Sequence, residues 1–137
     1  MTYELYMQMS QSFINVSAEI DIDPNTLNLK SNGKWVSCYI ELPEGHDVNE
    51  IDISTVNISD INGNSILIHA ESHPTDTGDH DGDGIPDLMV KFDRQKVQNA
   101  VGPGDATITV EGEFGEGFYF KGFDTIRVIK PGKGPKR

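Results

Sequence analysis

Residues 79–87 read Asp-His-Asp-Gly-Asp-Gly-Ile-Pro-Asp, with carboxylates at the first, third, fifth and ninth positions. That spacing suits a hard divalent cation. Calcium takes six to eight oxygen ligands at about 2.3–2.6 Å, and alternate residues of a tightly turning loop aim their side chains at one centre. Asp79, Asp81, Asp83 and Asp87 are the candidate carboxylate ligands, the last one direct or through a water. Gly84 permits the sharp turn, and the backbone carbonyl of Ile85 is the candidate ligand at the seventh position. Magnesium fits less well, because it keeps few protein ligands and several waters. The alternative to a metal is a solvated acidic loop. Five positions matching at fixed spacing favour calcium.

The loop is not the helix–loop–helix kind, which closes with a bidentate Glu at position 12. Here position 12 is Val90, and Pro86 followed by Leu88-Met-Val-Lys-Phe92 sends the chain out as a strand. The next acid, Asp93, lies six strand residues beyond Asp87, roughly 20 Å away if extended. It is the expected cap of a helix over Arg94–Val101, where Val97, Ala100 and Val101 share one face. The loop resembles the strand-to-strand calcium loops of integrin alpha-subunit propellers.

The rest of the chain must position that loop. Its 137 residues make one domain, with 36% hydrophobic and 24% charged residues. The dominant hydrophobic period is two. Strands are expected at Lys34–Leu42, Ile51–Ile58, Ser65–Ala70, Leu88–Phe92, Ala106–Val110, Phe118–Phe120 and Ile126–Ile129, with Gly-, Asn- and Pro-rich turns between them. The expected fold is all-β and mostly antiparallel: a β-sandwich, immunoglobulin-like, with one short helix. Its core would hold Val36, Ile40, Ile68, Leu88, Val90, Phe92, Ile108, Val110, Ile126 and Val128. Residues 1–19 read as an N-terminal strand or a preceding segment, with Leu5, Met7 and Met9 alternating. Residues 20–130 form the module, and 131–137 have linker composition.

Charge excludes some partners. There are 22 acids against 11 bases, a net charge of −11, so a phosphate backbone is repelled and nucleic-acid binding is not expected. Residues 71–90 carry six acids and no Lys or Arg. No apolar run reaches the length of a membrane span, so membrane insertion is not expected either. The start of the chain lacks signal-peptide features, which fits either a cytosolic protein or a module cut from a longer exported chain.

Catalytic patterns are weak. His46, His69, His73 and His80 stand outside any nucleophile motif, with His80 expected to point away from the ion. Cys38 is in phase with Val36 and Ile40, as a buried inert thiol would be. Glu41/Glu44 or Glu111/Glu113 could serve as the carboxylate pair of a glycosidase. Trp35, Tyr39, Tyr119 and Phe123 could form a sugar-stacking platform, or pack against a neighbouring module. Asn15-Val-Ser17 and Asn57-Ile-Ser59 match glycosylation sequons and give export mild support.

Residues 20–58 contain Ile-Asp-Ile-Asp-Pro24, Asn32-Gly33 and Asp47-Val-Asn-Glu-Ile-Asp-Ile-Ser-Thr-Val56. Further on come Asp81-Gly-Asp-Gly-Ile-Pro-Asp-Leu-Met-Val-Lys-Phe-Asp93, Thr107-Ile-Thr-Val-Glu-Gly112 and Gly122-Phe-Asp-Thr-Ile-Arg127. In collinear order over about residues 20–130, the chain resembles a recurring calcium-binding, β-rich module of bacterial and archaeal cell-surface and secreted multidomain proteins. The resemblance implies an extracellular or cell-surface location, bound Ca2+ and an accessory role in adhesion, spacing or assembly, without catalysis. Its implied partners are neighbouring modules of a longer chain, a glycan or another cell-surface protein. A carbohydrate-binding module is the first alternative, and an accessory or catalytic domain of a glycoside hydrolase the second.

Overall fold

A computed structural model describes residues 13–131, and the alternation of Leu5, Met7 and Met9 lies outside them. Among the described residues, ten strands form two sheets packed face to face, an all-β sandwich. They are β1 (Ile14–Ser17), β2 (Glu19–Asp23), β3 (Thr26–Asn28), β4 (Trp35–Glu41), β5 (Asn57–Ile61), β6 (Asn64–His69), β7 (Asp76–Gly78), β8 (Asp87–Asp93), β9 (Gly104–Phe114) and β10 (Phe118–Ile129). The larger sheet runs β1-β10-β9-β5-β6, with β3 also paired to β10, and the smaller runs β2-β4-β8-β7. Both β1 and β3 lie parallel to β10, at its two ends; the other pairings are antiparallel.

The inward positions of both sheets supply the core. All ten residues expected there are buried, joined by Ile22, Leu27, Phe114 and Phe120 among others. Cys38 is fully buried in that layer, and burial pushes its thiol well above the usual range, so it is no nucleophile. Helix α1 (Arg94–Asn99) ends two residues short of its expected span, with Ala100 as its last cap and Val97 buried. Asp93 caps its start, accepting from the amides of Gln95 and Lys96.

Three expected strands are redrawn. Ile51–Ile58 is not one strand: a 3-10 turn at Ile53–Thr55 interrupts it, another at Val48–Glu50 precedes it, and β5 starts at Asn57. Asp47 and Asp52 cause this, their carboxylates accepting from the amides of Asn49 and Ser54 and so favouring turns over a ladder. In contrast, Phe118–Phe120 and Ile126–Ile129 are ends of a single strand, β10.

The middle of β10 places the N-terminal chain. Ala18 leaves the larger sheet there, its amide donating to the carbonyl of Lys121 at 3.0 Å. A Cβ on Gly122 would collide with the Ala18 carbonyl, so the missing side chain lets the chain cross to the smaller sheet. Two residues beyond Gly122, Asp124 turns inward and accepts from the Ile22 amide at 2.8 Å, holding β2 in place. The crossing sets Glu19, the first residue of β2, opposite Glu41, the last of β4.

Candidate metal centre

The loop of residues 79–86 joins β7 to β8, a hairpin in which Gly78 pairs with Asp87. It turns back on itself because Gly82 and Gly84 take φ of 76° and 89°, a region that side chains strain to enter. Backbone amides then hold the carboxylates. Asp79 accepts from the amides of Asp83 at 3.1 Å and Gly84 at 2.8 Å. Asp81 accepts from the amide of Asp83 at 3.2 Å, Asp83 from that of Ile85 at 2.8 Å, and Asp87 from that of His80 at 3.0 Å. A carboxylate has about four lone-pair sites, so each keeps acceptor capacity after these bonds.

Asp79, Asp81 and Asp87 converge, each offering an oxygen within 4.8 Å of the other two. Opposing ligands of a calcium ion stand about 4.6–5.2 Å apart, twice the metal–oxygen distance, so one ion fits this group. Asp87 is buried, while Asp79, Asp81 and Asp83 are exposed. Asp83 lies outside that group. The amide of Ile85 holds its carboxyl below the usual carboxylate range. The ring of His80 lies 4.7 Å from that of Tyr39, which lays the loop against the outer face of β4.

The structure adds two acids that lie far from the loop in sequence. Glu19 and Glu41 join Asp81 in a second group whose oxygens are also within 4.8 Å of one another. Glu41 is only 7% exposed, and among the described residues no donor reaches its Oε1. Burial pushes its carboxyl up to about 8, helped by the Asp87 and Asp83 carboxylates beside it. Desolvation raises Asp81 as well, with Asp83 and Asp87 adding to the effect. Glu19, Asp21, Asp23, Glu41, Asp81 and Asp87 line a groove of about 470 Å³ with no Lys or Arg on its walls among the described residues. An arrangement of this kind could hold a metal ion.

The parity of β4 places Glu41 in phase with Trp35, Ser37 and Tyr39, away from the core. That much was legible in the sequence. The register of β2 on β4, which brings Glu19 to it, was not.

The other candidates are scattered. Trp35 and Tyr39 belong to β4 of the smaller sheet, whereas Tyr119 and Phe123 lie on β10 of the larger, so the four do not make one platform. Glu111 accepts a hydrogen bond from the Tyr119 hydroxyl. No family model, curated protein or solved structure matches this chain.

Proposed function

We propose that the protein is a non-catalytic, calcium-stabilised β-sandwich module of an exported or cell-surface protein, serving adhesion, spacing or assembly. Its loop ligands are Asp79, Asp81, Asp83, the carbonyl of Ile85, and Asp87. The observation that carries this reading is the convergence of Asp79, Asp81 and Asp87 in a tightly turned hairpin, with no Lys or Arg among the described residues lining the groove beside them. Like charges so close repel unless a cation lies among them. Calcium is favoured over magnesium because several protein oxygens converge at once. The ion would fix the β7–β8 hairpin and with it one end of the sandwich.

Calorimetric titration tests this. The absence of a position-12 Glu in the loop implies an extracellular-type affinity on the order of 10⁻⁴–10⁻³ M. Sub-micromolar affinity would instead support an intracellular sensor, and no binding would reject the reading.

Glycan binding is a second reading with support on the opposite sheet. Phe123 is 65% exposed and, with Tyr119, Asn15, Thr109 and Lys121, lines a groove of about 870 Å³. Exposed aromatic faces beside polar groups suit a sugar ring, and a glycan array reads this directly.

A further inference from the structure

We propose that Glu19, Glu41 and Asp81 hold a second divalent cation, beside the one in the loop and bridged to it by Asp81. The inference rests on the loop reading, since Asp81 is common to both groups.

Two observations at the paired ends of β2 and β4 carry it. First, Glu41 is more than nine-tenths buried, and its Oε1 has no donor among the described residues, while its carboxylate meets those of Glu19 and Asp81. The large majority of buried side-chain polar atoms have a hydrogen-bond partner. Second, Glu19 and Glu41 are register partners on adjacent antiparallel strands. Like charges directly opposite destabilise a sheet, and among the described residues no Lys or Arg lines the groove to separate them. An ion between the two turns repulsion into attraction. The oxygens of this group are as close as those of a single calcium shell.

Charge points the same way. One divalent ion against Glu19, Glu41, Asp79, Asp81, Asp83 and Asp87 leaves a formal charge of −4; a second reduces it to −2. The open side of the groove leaves room for water to complete the shell, as Glu19 and Asp81 are exposed. The second ion would tie β2 and β4 to the loop, closing the end of the smaller sheet at three strands.

The test is the number of calcium ions bound per chain, by titration calorimetry and native mass spectrometry of the full chain in calcium chloride. Wild type should bind two, Glu41→Gln one, and Glu19→Gln should weaken one of the two sites tenfold or more. Melting each variant in chelator confirms that it folds. A wild type that binds one ion overturns the proposal if Glu41→Gln leaves that ion bound, or if Asp79→Asn abolishes it as Glu41→Gln does, because Glu41 is then at most a ligand of the loop ion. Two ions in both wild type and Glu41→Gln overturn the assignment of residues. A single ion that survives in Asp79→Asn and Asp83→Asn, yet is lost in Glu41→Gln, rejects the loop reading and keeps this site. No ion at all rejects both.

Discussion

Glu19 and Glu41 face each other across β2 and β4, two acids in direct register with one of them buried. In the absence of a cation, the sheet tolerates this pair by keeping a proton on Glu41, whose carboxyl is pushed up to about 8 by burial and by Asp87 and Asp83. This has consequences for stability that depend on pH and on calcium.

The sign follows from linkage. A carboxyl raised above its unfolded value contributes stability that is complete below the unfolded pKa and is lost as pH rises through the folded one. In chelator, Glu41 should therefore cost stability progressively between about pH 4.5 and 8. Urea unfolding of wild type and Glu41→Gln across that range isolates the effect: the variant gains on wild type as pH rises. At pH 7, calcium binding should release up to about one proton from wild type. Calorimetry in buffers of different ionisation enthalpy measures that release.

Asp83 and His80 separate ligation from packing. Calcium at ten to a hundred times Kd stabilises the folded state by about 1.4–2.7 kcal/mol, a shift of several degrees in Tm. Asp83→Ala should remove most of that gain. His80→Ala removes a ring resting on Tyr39 and leaves the calcium-dependent gain nearly unchanged. Melting both variants in chelator and in millimolar calcium distinguishes the two roles.

Asp93 is predicted to act without the ion. Its carboxylate caps α1 at 2.9 Å from the Gln95 amide, so Asp93→Ala should lower stability by about 0.5–2 kcal/mol with and without calcium alike. A calcium response lost in this variant alone would move the site to Asp93.

Gly122→Ala tests how the fold sets the centre. Its methyl would press on the Ala18 carbonyl, and overpacking of this kind costs about 1–3 kcal/mol. Because Glu19 follows Ala18, calcium bound through Glu19 should weaken as well. A variant as stable as wild type would show that the crossing does not depend on that glycine.

The regular alternation of Val36 to Leu42 and Ala106 to Val110 made the centres of β4 and β9 legible, and the spacing of Asp79 to Asp87 revealed the loop. β10 was broken in two because its inward positions 122 and 124 are Gly and Asp, which hold the crossing chain instead of filling the core. Glu19 escaped notice for a related reason. Its partnership with Glu41 depends on a pairing between residues 22 apart, with no tight turn between them to fix the register. The turn at Asp52 was masked by apolar neighbours that matched a strand.

Thermal melting of wild type in chelator and in millimolar calcium tests the central claim most directly. Calcium should raise Tm by several degrees through a folded loop that binds the ion far better than the unfolded chain does. Identical melting in the two conditions would contradict the account.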